Sequence, residues 1–308
     1  MKKIIVGSRK SQLAITQTQW VINRLKALNL PYEFEIKEII TKGDQILDVT
    51  LSKVGGKGLF VKEIEQALLD GEIDFAVHSM KDMPAEMPEG LTLAAVPERE
   101  DPRDCLISNH NYTIDTLPTG AKVGTSSLRR AAQLLAYRED LQIESIRGNI
   151  NTRLNKLNTQ NLDAVVLATA GLNRIGYNEL TPEYLDVDLC IPAVGQGALG
   201  IQARENDEEI LELLAQIDHQ DTKVLVSAER AFLNRLQGGC QIPIGAYARW
   251  MDGKVHLVGI VASVDGKEII KAEATDAKEN TVELGIRVAE ELLAKGAARI
   301  LEEVKGVL

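Results

Sequence analysis

The chain has 308 residues, 44% of them apolar and 26% charged, with a formal net charge of -10. At about 150 residues per domain this is material for two domains with room for a third; the acidic balance excludes nonspecific nucleic-acid binding, though not a local basic cleft, and the apolar runs are too short to span a bilayer. Three cysteines (Cys105, Cys190, Cys240) without a CxxC pair, and four scattered histidines, exclude a disulfide framework and the common metal spacings, so no metal site is expected.

The N-terminal MKKIIVGSRKSQ turns polar after three apolar residues, so a signal peptide is not expected and the expected compartment is the reducing cytoplasm. Residues 3–7 read as a strand and roughly 11–28 as an amphipathic helix. GSRKS (7–11) sits at their junction, where helix N–H groups attract anions and Arg9 with Ser11 would add to that pull. Taken alone it reads better as a solvated basic turn. A strand over 33–40 leads into a polar, glycine-rich segment, 41–58. Its SKVGGKGLF (52–60) places Lys53 and Lys57 around two glycines without the Walker A spacing. A lid over an anion and a flexible surface loop fit it equally. A helix near 60–70, a strand over 73–78 and another over 91–96 follow. VHSMKDMP (77–84) ends its strand in Ser79, Lys81 and Asp82; a carboxylate there could act as acid, base or cation stabiliser, or simply cap a helix.

PEREDPR (97–103) is proline-rich and charged and reads as a domain crossing. Beyond it the pattern repeats. AKVGTSSLRRAAQL (121–134) is similar to IIVGSRKSQLAITQ (4–17), and LDAVVLATAGL (162–172) to IDFAVHSMKDM (73–83). Two α/β domains of one architecture facing each other across a cleft would explain this; so would the generic likeness of any two strand–turn–helix units. Thr125, Ser127, Arg129 and Arg130 open the helix of the second repeat, and Arg147, Arg153 and Arg174 follow later strands, where ligands bind in open α/β sheets. Each arginine alone reads as a surface residue; together in one cleft they imply a polyanion. VGQGALG (194–200) contains GxGxxG, but Pro192 precedes it and ALGIQAR reads as a strand, which excludes a dinucleotide site and leaves a hinge or crossing. Helices are expected over 207–217 and 222–239, stopped by Gly238 and Gly239. Strands near 244–250, 255–263 and 267–274 carry turn signals at Asp252-Gly253 and Asp265-Gly266, and a last helix covers 280–304. Cys105 and Cys190 suit buried positions. Cys240, in the loop GGCQIP, is a different case: a thiol just past a helix end and beside two glycines is not placed like a core residue, and no His lies near it in sequence.

Together GSRKSQLA, GGKGLF, VHSMKDMP, PEREDPRD, GTSSLRR, RGN, ATAGLNR, VGQGALG and GGCQIP closely resemble the porphobilinogen deaminase family, from about residue 4 to 248. The resemblance implies an α/β protein with two periplasmic-binding-protein-like domains around a cleft, 1–98 with 194–217 and 99–193, plus a small C-terminal α+β domain, 218–308. It implies a transferase that joins four porphobilinogens head to tail, releasing ammonia, into hydroxymethylbilane. The primer is a dipyrromethane cofactor bound to Cys240 by a thioether. Asp82 takes the catalytic role. Ser79, Lys81, Thr125, Ser127, Arg129 and Arg130 bind the cofactor. Arg9, Ser11, Lys53, Lys57, Phe60, Arg147, Arg153, Arg174 and Gln196 bind substrate. A monomer, with hand-over of product to the next enzyme, completes the expectation.

Overall fold

The computed structural model describes residues 2–45, 61–84, 86–177, 179–238 and 242–307. Lys53, Lys57, Phe60 and Cys240 lie outside the described residues. The chain divides into two compact units, residues 1–100 with 198–224 and residues 101–197 with 225–308.

The first unit starts with β1 (Lys2–Arg9) and α1 (Gln12–Lys26). α1 buries Ala14, Thr18, Val21, Ile22 and Leu25, a stripe at helical spacing. It then forms β2 (Tyr32–Ile39), a short helix α2 (Lys42–Gln45), α3 (Lys62–Leu69), β3 (Phe75–Ser79) and β4 (Leu91–Ala95). The sheet is completed by a late strand, β10 (Leu199–Arg204), which leads into helix α7 (Glu208–Ala215); the strand order is β2-β1-β3-β10-β4. β1 runs parallel to β2 and β3, whereas β10 is antiparallel to both β3 and β4. Ile4, Val6, Phe75, Leu199 and Ile201 fill one core cluster with Val21, Ile22 and Leu25 of α1. Ile64 and Leu68 of α3 build another with Ile73 and Ala76. Gly200 stands opposite His78 in the β3–β10 register. A Cβ there would lie 2.3 Å from Met83 Sδ and 3.0 Å from Met80 Cε, so the glycine admits the turn that follows β3.

The second unit contains β5 (Asp104–Ser108), β6 (Lys122–Gly124), α4 (Leu128–Tyr137), β7 (Gln142–Glu144), α5 (Ile150–Thr159), β8 (Ala164–Ala168), α6 (Thr169–Ile175) and β9 (Glu183–Tyr184). Its sheet order is β7-β6-β8-β5-β9, with β6 parallel to β7 and β8, and β5 antiparallel to β8 and β9. This is the first sheet again, strand for strand: β6, β7 and β8 stand where β1, β2 and β3 do, and β5 takes the place of β10. The repeat read from the sequence is therefore a repeat of topology.

The same unit carries a third sheet. After α8 (Gln220–Arg235), strands β11 (Ile244–Met251), β12 (Lys254–Ala262) and β13 (Ile269–Asp276) pair antiparallel in chain order. The β11–β12 hairpin closes at Asp252 and Gly253, whose φ angles are +50° and +75°, the signature of a tight type I′ turn. Gln237, at φ +50°, ends the last turn beyond α8, with the Gly238 N–H donating to Leu233 O; the stop thus falls one residue before the glycine pair expected to make it. The single last helix expected over 280–304 is two, α9 (Thr281–Leu292) and α10 (Ala298–Val307). Gly296, at φ +100°, breaks the run in the wide turn between them, a conformation open to glycine and strained for other residues.

Gly259 of β12 lies under the Phe232 ring of α8, where an added Cβ would come within 2.4 Å of Phe232 Cε2. Gly259→Ala is expected to destabilise the chain by about 1–3 kcal/mol through overpacking, seen as a lower urea midpoint at unchanged slope.

Candidate active site

In the first unit, the chemistry-bearing residues collect at the carboxyl ends of neighbouring parallel strands. β1 ends in Arg9 and is followed by Ser11, whose Oγ accepts from the Ala14 N–H at 3.3 Å and caps α1. β3 ends in Ser79 and turns at once into a 3-10 turn, Met80–Asp82. That turn is pinned at both ends: the Met80 N–H donates to Ala198 O at 3.0 Å, and the Met83 N–H to Met80 O at 3.2 Å. Met80 and Met83 are buried, while Ser79, Lys81 and Asp82 are half-buried. Asp82 closes the 3-10 turn; it caps no helix N-terminus, so the ordinary task of an aspartate in such a place is not the one it has.

In the second unit the same strand ends carry cations. Ser127 Oγ accepts from the Arg130 N–H at 3.4 Å and caps α4. Beyond β7, Arg147 is half-buried, and Arg153 of α5 donates from Nε to Gly148 O at 2.9 Å. Beyond β8, Arg174 of α6 donates to Gly197 O at 2.7 Å. The GxGxxG segment ends in β10 and not in a helix, so it has no helix N-terminus to offer a pyrophosphate.

Four of the expected ligand contacts have a different setting. Arg129 and Arg130 are only 4% and 5% exposed, and Thr125 and Gln196 are also buried. Asp104, fully buried at the start of β5, gathers most of them. It accepts from Arg129 Nη1 at 2.7 Å, Arg130 Nε at 2.9 Å and Gln196 Nε2 at 2.9 Å. Arg129 also donates to Ile191 O at 2.7 Å, Arg130 to Val166 O at 3.0 Å, and Gln196 to Pro102 O at 2.7 Å. Thr125 Oγ1 accepts from the Ser127 N–H at 3.2 Å, inside the turn that opens α4. Burial alone would raise the Asp104 pKa, but the two guanidinium charges outweigh it and hold the group far below its usual value. Cys190 Sγ donates to the same carboxylate at 3.3 Å, and burial together with that charge pushes its thiol up to about 12. Burial likewise lifts Cys105 to about 11. Neither thiol is set up as a nucleophile.

Asp104 escaped notice in the sequence because PEREDPRD reads as a charged crossing; its strand partners lie far along the chain. Asp44, beside Arg9, was missed for a similar reason: TKGDQ has no periodicity that marks a partner.

A family model for "Porphobilinogen deaminase, dipyromethane cofactor binding domain" matches residues 4–212, and one for the porphobilinogen deaminase C-terminal domain matches residues 223–294. The chain belongs to the porphobilinogen deaminase family. Porphobilinogen deaminase of Shouchella clausii is 59% identical over 310 residues, covering 100% of this chain and 99% of its own. That of Listeria monocytogenes is 55% identical over 309 residues, covering 99% of each. Among solved structures, the Salmonella typhimurium periplasmic binding protein STM4351 is 13% identical over 72% of this chain and 94% of its own, with a TM-score of 0.39. The fold assignment rests on the strand order and not on so loose a superposition. As a porphobilinogen deaminase the chain is an enzyme of tetrapyrrole biosynthesis, and residues 4–212 are its dipyrromethane-binding part.

The residues present fit that cofactor. A dipyrromethane offers acetate and propionate carboxylates and two pyrrole N–H groups. In the first unit the strand ends offer the Lys81 ammonium and Ser79 hydroxyl for the first and the Asp82 carboxylate for the second; in the second unit the Ser127 hydroxyl and the guanidiniums after β7 and β8 suit carboxylates as well.

Replacing Asp104 by Asn leaves two buried guanidiniums without their counter-charge, and a loss of about 3–5 kcal/mol is expected. The pH dependence has a sign. Because the folded pKa is depressed, Asp104 stabilises the fold above the usual carboxyl value of 3.8, and that contribution is lost as pH falls below it. Urea midpoints measured across this range should fall more steeply for the wild type than for Asp104→Asn.

Proposed function

We propose that Asp82 is the catalytic group of a porphobilinogen deaminase that joins four porphobilinogen units head to tail, with loss of ammonia at each addition, into hydroxymethylbilane. The observation that carries this reading is the pinned turn at the end of β3, which fixes a half-buried carboxylate beside the strand end that carries Arg9. When bound through Cys240, the dipyrromethane supplies the pyrrole carbon to which the first new unit is joined.

At each addition the C–N bond to the substrate's aminomethyl nitrogen breaks and a C–C bond forms. The carbon that loses ammonia is electron-poor, and positive charge spreads over pyrrole nitrogens. A fixed carboxylate stabilises that charge and accepts hydrogen bonds from pyrrole N–H groups, an electrostatic advantage held in place before the reaction starts. Asp82 is suited to this and to moving the protons that ammonia release and rearomatisation require. Arg9, Arg147, Arg153 and Arg174, with Lys81, are read as partners of substrate and cofactor carboxylates, and Ser11, Ser79 and Ser127 as hydroxyl donors. Arg129, Arg130 and Thr125 are read as cofactor contacts and Gln196 as a substrate contact; the Asp104 network holds Arg129, Arg130 and Gln196 in one arrangement. Lys53, Lys57 and Phe60 keep their expected substrate role, and Cys240 its thioether. Three domains, the third being 218–308 with its own antiparallel sheet, a monomeric state, a cytoplasmic location and hand-over of product to the next enzyme complete the proposal.

Two variants test it. Cys240→Ser should yield protein whose denatured intact mass lacks the covalent excess of the wild type; an unmodified wild-type mass from active enzyme would sink the attachment. Asp82→Asn should retain that excess and lose at least about 100-fold in turnover. Near-normal single-turnover rates in that variant would remove Asp82 from the chemistry.

A further inference from the structure

Arg9 already holds a carboxylate that belongs to the chain. Its Nε lies 3.2 Å from Asp44 Oδ1 and 3.3 Å from Oδ2, and its Nη2 also donates to Oδ1. Asp44 Oδ2 in turn accepts from the Thr41 hydroxyl at 2.8 Å and the Thr41 N–H at 3.3 Å. Thr41 is fully buried, and the Arg9 and Asp44 side chains are 23% and 11% exposed. Burial pulls the Asp44 pKa up, but the bonds from Arg9 and Thr41 outweigh it and keep the group ionised at neutral pH.

The Nε and Nη2 edge of a guanidinium is one on which a ligand carboxylate can also seat. Asp44 and a pyrrole acetate or propionate are therefore rivals for the same donors. We propose that Asp44 is a resident carboxylate that substrate carboxylates displace from Arg9 and that returns to Arg9 when they leave. The proposal rests on the reading of Arg9 as a substrate contact.

A polymerising site has a reason to carry such a group. Each unit joined to the chain must later move on, and a carboxylate pulled away from a part-buried arginine would leave an uncompensated charge behind. With Asp44 at hand, release becomes an exchange: one anion departs as another arrives, and the charge at Arg9 stays balanced throughout. Asp44 thus weakens the hold on each incoming unit and eases the departure of the one before it. Thr41 matters to this because its two donors keep the carboxylate ionised and within reach.

The test uses holoenzyme of Asp44→Asn and Asp44→Ser, with cofactor loading checked by intact mass. KM and kcat for porphobilinogen are measured, together with the masses of covalent enzyme–pyrrole species sampled during turnover. Loss of the rival should lower KM by about fivefold, the equivalent of about 1 kcal/mol for a part-exposed pair. It should also lower kcat and cause partly extended species to accumulate. A raised KM without accumulation would show that Asp44 only holds Arg9 in position, and would overturn the proposal; unchanged KM and kcat would do the same. Arg9→Gln, run alongside, should raise KM. An unchanged KM there would remove Arg9 as a substrate contact, a failure of the underlying reading that the Asp44 variants alone would not reveal.

Discussion

One buried carboxylate sets the conditions for the second unit. Asp104 is fully enclosed, and it is stable there as an anion only because Arg129 and Arg130 reach it from α4 and Gln196 from the chain before β10. A charge taken out of water is costly unless its partners satisfy it completely, so the arrangement allows little freedom. It joins the start of β5, the first turn of α4 and the segment 190–196 in one network. The first turn of α4, capped by Ser127, is tied to that network through Arg129 and Arg130.

The two α/β sheets solve the same problem twice. Parallel neighbours direct their carboxyl ends to one edge, so loops after β1 and β3, or after β6, β7 and β8, converge without further design. What differs is the chemistry placed on those ends. The first unit has the Asp82 carboxylate with Lys81 beside it, and Arg9 paired with Asp44 at the neighbouring strand end; the second has hydroxyls and guanidiniums. One architecture therefore provides both a group for cationic charge and a set of groups for carboxylates.

Much of this was legible in the sequence, because strand–turn–helix units announce themselves through local periodicity and capping. Ser11 and Ser127 both cap helices where the pattern places them, and Ser79 ends its strand, with Lys81 and Asp82 in the 3-10 turn directly after it. The interior pairing was not legible. The pairing of Arg129 and Arg130 with Asp104 left no mark in the sequence, because Asp104 lies on a separate strand and burial is a property of the assembled sheet. The burial of Gln196 against Pro102 and Asp104 was equally illegible, because a glycine-rich crossing has no periodicity that marks an interior face. The broken last helix was partly legible, since Gly296 stood inside the expected run; its left-handed backbone settles the matter.

The position of β10 has a consequence for how the chain is made. It lies between β3 and β4, yet it follows them by about a hundred residues of sequence, during which the whole second α/β sheet is synthesised. Until β10 emerges, β3 and β4 have no strand between them, and the edge of β3 is unpaired. The N-terminal sheet therefore cannot close in the order in which it is translated. Its completion waits on distant residues, which makes the first segment of the chain to be synthesised one of the later parts to become secure.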